Sequence, residues 1–105
     1  MMKNYILIDD DELVRMTWSF KSKANDVSLA TFSSAKDFKD SSQLFSKDTP
    51  IYLDSELGDV LGEEFITELI EMGFIEIHLV TGKDPDQIKI NKELFKSIGG
   101  KEPPF

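Results

Sequence analysis

Cysteine is absent from the 105 residues, so no disulfide framework supports the fold. An ordinary apolar core is therefore required, and a reducing, cytoplasmic location is expected. No apolar run approaches the roughly 18 residues that a membrane span needs, and the apolar stretch of the opening segment MMKNYILIDD is too short for a signal peptide. The sequence predicts a soluble protein without a membrane partner.

Basic residues are also scarce. The chain has 12 Lys and Arg against 20 Asp and Glu, which gives a formal net charge of -8. Such a chain repels phosphate backbones and anionic lipid surfaces unless a basic patch is segregated. Direct nucleic-acid binding is therefore not expected.

Apolar runs of strand length alternate with longer segments of helical period, which is typical of an α/β protein with a parallel sheet. The length fits one domain, residues 1–105. Strands are predicted at 4–9, 27–32, 51–54 and 74–80, with a short edge strand and a proline-stiffened tail within 98–105.

Four helices are predicted between these strands. The first is capped by Asp10 or Asp11, has Leu13, Met16 and Phe20 at helical spacing, and ends near Ala24. The second follows Ser33 and Ser34, carries Ala35, Phe38 and Phe45, and stops before Pro50. The third spans 63–73 with Gly73 as its cap, and the fourth lies within 84–98 with Pro85 in its first turn.

The predicted strand ends carry the polar residues that matter for chemistry. In an open parallel sheet, ligands bind beyond the carboxyl ends of the strands. Strand one delivers Asp9, Asp10 and Asp11, strand three delivers Asp54, strand four delivers Thr81 and the last strand delivers Lys101. These groups are expected to converge on one rim of the sheet.

Converged carboxylates repel one another unless a cation joins them, and hard oxygen ligands suit Mg²⁺. With Mg²⁺ bound, an ionised Asp54 can attack a phosphoryl group in line, while Lys101 and the Thr81 hydroxyl neutralise charge on the phosphoryl oxygens. The expected product is an aspartyl phosphate.

The segments ILIDDDELVR, YLDSELGDVLGEE, LVTG and GKEPPF resemble, in order and spacing, the receiver domains of two-component response regulators. The resemblance covers nearly the whole chain. It implies a flavodoxin-like, doubly wound, five-stranded parallel sheet of order 2-1-3-4-5, with helices on both faces. It also implies Asp54 as phospho-acceptor, and Asp10, Asp54 and the main-chain oxygen of Glu56 as metal ligands, with Asp9 acting through water.

Three departures from the family pattern bear on signalling. The usual Lys-Pro pair is replaced by Lys101-Glu102-Pro103-Pro104, so the cis peptide often found after the lysine must move or vanish. Ile98 stands where an aromatic switch residue is expected. The chain stops at Phe105, where the family would add a fifth helix.

The missing helix predicts an open sheet face with exposed apolar side chains of strands three to five. We expect a homodimer or a partner to bury this face, with Trp18 and Phe105 contributing. In the alternative, KEPPF folds back over the gap.

Because the chain has one histidine and no nucleotide-binding glycine loop, the phosphoryl group is expected to come from a partner kinase or a small phosphodonor. The resemblance implies that this partner is a sensor histidine kinase or a phosphotransfer protein. His78 lies within an apolar strand and is interpreted as a packing residue. The chain is expected to be a phospho-acceptor and not a turnover enzyme.

Two alternatives remain open. A pseudo-receiver would keep the fold and act by protein contact alone. A phosphatase of the haloacid-dehalogenase kind would need a second aspartate where this chain has Glu56, and a cap domain would find no room. Glu56 and Lys83 are read as surface charges, or as a pair across the mouth that slows water attack.

Overall fold

Five parallel strands form one sheet in the computed structural model, which describes residues 3–105. The order is β2-β1-β3-β4-β5, as the resemblance implied. The strands are β1 (Asn4–Ile8), β2 (Ser28–Phe32), β3 (Ile51–Asp54), β4 (Ile77–Val80) and β5 (Ser97–Gly99).

Three α-helices connect the strands within the described residues: α1 (Glu12–Ala24), α2 (Ala35–Ser41) and α3 (Gly62–Glu71). Asp11 caps α1 by accepting from the main-chain N–H groups of Leu13 and Val14, and Ser34 caps α2 in the same way through Asp37. After α3, Gly73 adopts a φ of +101°, which glycine tolerates without a Cβ penalty. The predicted caps of all three helices are confirmed.

The main core lies between the sheet and the pair α2 and α3. Alternate residues of the inner strands face it, so Ile6 and Ile8 of β1 and Ile51 and Leu53 of β3 are fully buried there. The helices contribute Phe38, Phe65, Ile66 and Leu69. This packing fixes the carboxyl ends of β1 and β3 side by side.

The opposite face is covered by α1 and by the carboxyl-terminal tail. Trp18 of α1 is fully buried against Leu7 and Val80, and Phe105 packs beside them. The Phe105 ring lies 5.9 Å from the Trp18 ring in an edge-to-face arrangement and 5.1 Å from Tyr5. The tail therefore folds back over the gap, which was the alternative expectation.

The expectation of an open apolar face is wrong. Beside the tail, the outward positions of β3, β4 and β5 are Tyr52, His78 and Ser97, and His78 stacks on Tyr52 with ring centres 4.5 Å apart. Each of these side chains carries a polar group, so this part of the sheet can be exposed to solvent without exposing a large apolar surface. Trp18 is fully buried and cannot reach a partner.

The predicted fourth helix is also wrong. Residues 84–98 form two short 3₁₀ turns, Pro85–Gln87 and Lys92–Leu94, before β5 begins. Asn91 between the turns has a φ of +57°, in the left-handed region that a continuing helix excludes, and its side chain donates to the main-chain oxygen of Glu63. Ile88 and Phe95 are nevertheless buried in the main core, so the segment covers the sheet without being helical.

Two further details differ from the sequence expectation. Phe45 lies beyond α2, after the 3₁₀ turn Ser42–Leu44, although it still packs on the core. In α1, Leu13, Met16 and Phe20 keep their helical spacing but face solvent, while Val14, Trp18 and Ser22 face the sheet. Within residues 3–105, no helix is long and apolar enough to cross a membrane.

Candidate functional site

The carboxyl ends of β1, β3 and β4 and the segment after β5 meet in an open cleft of about 530 Å³. Its lining includes all six of the side chains that the sequence placed at the strand ends: Asp9, Asp10, Asp11, Asp54, Thr81 and Lys101. Ile8 of β1 pairs with Leu53 of β3, and Asp54 pairs with Val80 of β4, so parallel register carries the next residues to one rim.

Lys101 joins two of the carboxylates directly. Its ammonium lies 2.7 Å from an Asp9 oxygen and 2.7 Å from Asp54 Oδ1. Burial alone would lower the pKa of Lys101, but the hydrogen bonds to Asp54 and Asp9 outweigh it, so the pKa lies above its usual value. The lysine is therefore charged at neutral pH and partly offsets the two acids.

Asp9 is fully buried and held at both ends. Its carboxylate accepts from the main-chain N–H of Asp11 at 2.9 Å, and its main-chain oxygen accepts from the Arg15 guanidinium at 2.8 Å. Buried carboxylates persist when they are paired and hydrogen-bonded in this way. Asp10, the next residue, is exposed and turns toward the cleft.

Asp54 is buried at the end of β3. Burial raises its pKa to about 6, and the negative charge of Asp9 adds to the rise, whereas the hydrogen bond from Lys101 opposes it. A single ammonium does not balance the neighbouring carboxylates. The cluster therefore favours additional positive charge.

A divalent cation fits this cluster. Oxygen atoms of Asp9, Asp10 and Asp54 all lie within 4.8 Å of one another. They are hard carboxylate ligands at an open cleft, which is the donor chemistry of Mg²⁺ with retained waters. Glu56, whose main-chain oxygen the resemblance assigns to the metal, lines the same cleft.

Thr81 is buried at the end of β4, and its hydroxyl is already engaged. It shares a 2.8 Å hydrogen bond with the hydroxyl of Ser55, and it accepts from the main-chain N–H of Lys83 at 3.0 Å. Ser55 was missed by sequence reasoning. Its only signal is its place directly after Asp54, because nothing local shows that it meets Thr81.

Gly62 was also missed as a positioning residue. A Cβ at this place would lie 1.9 Å from the main-chain oxygen of Asp54, and the Gly62 N–H donates to the main-chain oxygen of Ser55 at 2.8 Å. The first turn of α3 therefore abuts the backbone of the acceptor strand. Only glycine permits this approach without a shift of β3 or α3.

Glu56 and Lys83 do form a pair across the mouth of the cleft, with 2.9 Å between ammonium and carboxylate. Lys83 also lies 3.5 Å from the buried Glu63 carboxylate, an ion-pair contact too long to hydrogen-bond that oxygen well. Glu56 therefore lies in an ion pair at the mouth of the cleft, as one of the two sequence readings expected.

The main chain of Lys101 contacts the sheet face that α1 and the tail cover. Its main-chain oxygen accepts from the Trp18 indole N–H at 2.9 Å, and Phe105 packs on the same indole ring. Every peptide bond within residues 3–105 is trans, so no cis bond follows the lysine. Ile98 rests against the main core. His78 packs on the Tyr52 ring within β4, as expected of a strand histidine.

No protein-family model and no curated protein matches this sequence. Solved structures do match its fold. A response regulator receiver domain (CheY-like) from Methylobacillus flagellatus superposes with a TM-score of 0.81 at 18% identity, covering 100% of this chain and 89% of that one. TrrA from Thermotoga maritima, a response regulator solved in complex with Mg²⁺ and BeF, gives 0.82 at 17% identity over 99% and 90%.

CheY4 of Vibrio cholerae, a chemotaxis response regulator, superposes with a TM-score of 0.80 at 18% identity, covering 100% of this chain and 89% of that one. These likenesses extend over nearly the whole chain. The fold of this chain is that of a response regulator receiver domain.

Proposed function

We propose that this chain is a phospho-acceptor that takes a phosphoryl group onto Asp54 in a Mg²⁺-dependent reaction and signals through the resulting change. The observation that carries the proposal is the convergence of Asp9, Asp10, Asp54, Thr81 and Lys101 on one open cleft of a receiver-type fold. Each group has a role in phosphoryl transfer.

In the proposed reaction, an ionised oxygen of Asp54 attacks the phosphorus of the donor and forms a P–O bond. The bond from phosphorus to the donor breaks, and the leaving group keeps the electron pair. Lys101 is close enough to contact the arriving phosphoryl oxygens after releasing Asp54. The Thr81 hydroxyl can turn to them by breaking its bond to Ser55.

Asp10, Asp54 and the main-chain oxygen of Glu56 would hold Mg²⁺, with Asp9 acting through water. When bound, the ion supplies charge neutralisation for the carboxylates and the phosphoryl oxygens. The buried Asp9 keeps Lys101 at the edge of the cluster through their 2.7 Å contact.

A histidine kinase or a phosphotransfer protein would supply the phosphoryl group. The only histidine, His78, is packed on the sheet, where its ring nitrogens meet Ser97 and Glu76 at 2.6 and 2.8 Å. It does not line the cleft and is not placed to act as an internal donor. A protein of this kind takes up one phosphoryl group and is not a turnover enzyme.

The output is proposed to run through the tail. The Lys101 ammonium contacts Asp54, and the Lys101 main-chain oxygen accepts from the Trp18 indole N–H. If the ammonium moves toward a phosphoryl group, the main chain of Lys101 shifts and its hydrogen bond to Trp18 weakens. Phe105 then loosens from the Trp18 and Tyr5 rings. This route replaces the aromatic switch that Ile98 cannot provide.

The pseudo-receiver is the second candidate, and one observation favours it. Lys101 already bridges Asp9 and Asp54, so two carboxylates are partly balanced without any metal. In that case the cleft would be a structural network, and the protein would act by contact alone.

Incubation with acetyl phosphate and Mg²⁺, followed by intact-mass analysis, separates the two candidates. The phospho-acceptor gains one phosphoryl group, Asp54→Asn gains none, and an exposed-carboxylate control such as Asp86→Asn behaves as wild type. Absence of any adduct, with a known receiver labelled in parallel, favours the pseudo-receiver.

A further inference from the structure

The outer side of α1 carries an apolar stripe that the fold leaves uncovered. Leu13, Met16 and Phe20 are 70%, 60% and 80% exposed, and the same surface is lined by Thr17, Lys21 and Ala24. The stripe is separate from the phosphorylation cleft. It faces away from the sheet, which α1 contacts through Val14, Trp18 and Ser22.

The charges of α1 differ from those of the whole chain, which has a net charge of -8. The same helix has one acidic residue, Glu12 in its first turn, against the basic residues Arg15, Lys21 and Lys23. The helix is thus locally basic in an acidic molecule. Its acidic residue lies in the first turn, and Lys21 and Lys23 lie in the last turn, so the two ends of the helix carry opposite charges.

The stripe is also complementary to itself when one helix is reversed. A two-fold axis between Met16 and Thr17 places Leu13 of one helix against Phe20 of the other, since both lie about equally far from the axis along the helix. The acidic start of each helix then lies beside the basic end of its neighbour. Glu12 and Lys23 fall on the same side of the stripe at helical spacing, so these two charges approach across the pair.

We propose that the α1 stripe is a homodimer interface in which two copies of this chain pair their α1 helices antiparallel about a two-fold axis. The interface has an apolar centre of Leu13, Met16 and Phe20 and a rim in which Glu12 of each copy pairs with Lys23 of the other. Isologous pairing of one patch with itself is the commonest arrangement of soluble dimers. It requires no phosphorylation and holds whether or not Asp54 accepts a phosphoryl group.

The size of the stripe limits the strength of the dimer. Covering three large side chains buries on the order of 400 Å² per protomer, about half of the ~800 Å² per partner in a standard interface. We therefore expect a weak dimer, with a dissociation constant on the order of 100 μM at low salt. A strong, constitutive dimer is not predicted.

Sedimentation equilibrium of the full chain from about 10 μM to about 1 mM tests the association in this range. Wild type should shift from monomer to dimer as concentration rises, and Phe20→Glu should remain monomeric to the highest concentration. Ile75→Glu is the matched control, because Ile75 is 76% exposed but lies outside α1. Since both side chains are exposed, thermal unfolding should confirm that both variants fold.

Charge reversal tests the antiparallel arrangement. Glu12→Lys and Lys23→Glu should each weaken the dimer several-fold at low salt, because each places like charges at positions 12 and 23 of the two copies. The double variant should regain wild-type affinity, because its two charges are exchanged and again attract across the interface. Methionine methyl NMR shifts of Met16 should move with concentration in wild type and in the double variant.

Three results would overturn the proposal. A wild-type mass that stays monomeric throughout the concentration range excludes the homodimer and leaves the stripe to a different protein. Equal loss of association in Phe20→Glu and Ile75→Glu shows that the interface lies elsewhere. A double variant no better than the single ones shows that the helices are not antiparallel.

Discussion

Replacing Asp54 by asparagine should stabilise the metal-free protein at neutral pH, although it removes the proposed acceptor. Folding raises the pKa of this carboxyl from 3.8 to about 6, mainly through burial. The folded form therefore holds the proton more tightly than the unfolded chain does. Its ionisation at higher pH costs free energy that asparagine avoids, and the asparagine amide oxygen can still accept from Lys101.

The magnitude follows from linkage. Each pKa unit corresponds to about 1.4 kcal/mol, so a rise of about two units lowers the free energy of unfolding by up to about 3 kcal/mol at pH 7. Below the unfolded pKa the group is protonated in both states and costs nothing. The loss develops as pH rises from about 4 to about 6, and near pH 4.5 it has reached only about 1 kcal/mol.

Urea unfolding of wild type, Asp54→Asn and the exposed control Asp86→Asn, each at pH 7 and pH 4.5 without Mg²⁺, measures this effect. Asp54→Asn should be more stable than wild type at pH 7, with a smaller gain at pH 4.5 and little change in the control. Added Mg²⁺ should stabilise wild type and so reduce the difference in free energy of unfolding between wild type and Asp54→Asn. The electrostatic reasoning fails if Asp54→Asn is no more stable than wild type at pH 7, or if its gain is the same at both pH values.

Three other substitutions probe the same cleft. Asp10→Asn should weaken Mg²⁺ binding about tenfold or more, measured by Trp18 fluorescence or NMR titration, and equal affinity would remove Asp10 from the metal site. Lys101→Ala should still be phosphorylated by acetyl phosphate but should leave the Phe105 ring resonances unmoved, and a wild-type response would show that Lys101 does not couple the cleft to the tail. Gly62→Ala should lose about 2–4 kcal/mol of stability in urea unfolding, because its Cβ meets the Asp54 backbone, while the control Gly58→Ala has open space and should change little.

The convergence of the site was predictable because parallel strands bring their carboxyl ends to one edge. Asp9, Asp54 and Thr81 each follow a short apolar run, and the alternation of strand and helix orders these runs in one sheet. Their proximity therefore follows from topology. It does not depend on the conformation of the individual loops after the strands.

Features that depend on tertiary contacts were not predictable. Helical spacing alone does not say which side of α1 faces the sheet, and the large ring of Trp18 was buried in preference to the stripe of Leu13, Met16 and Phe20. The helix expected over 84–98 failed at Asn91, whose left-handed backbone is fixed by a hydrogen bond to Glu63 of α3. Ser55 and Gly62 gain their roles only from neighbours that are distant in sequence.

The identity of the phosphorylated residue is the most direct test of the account. The chain is treated with acetyl phosphate and Mg²⁺, the acyl phosphate is reduced with borohydride, and the digested peptides are sequenced by mass spectrometry. Reduction converts an aspartyl phosphate to homoserine and leaves free aspartates unchanged. The account predicts homoserine at position 54 and at no other aspartate. Homoserine at position 9 or 10 instead, or at no position while a known receiver is labelled under the same conditions, would contradict it.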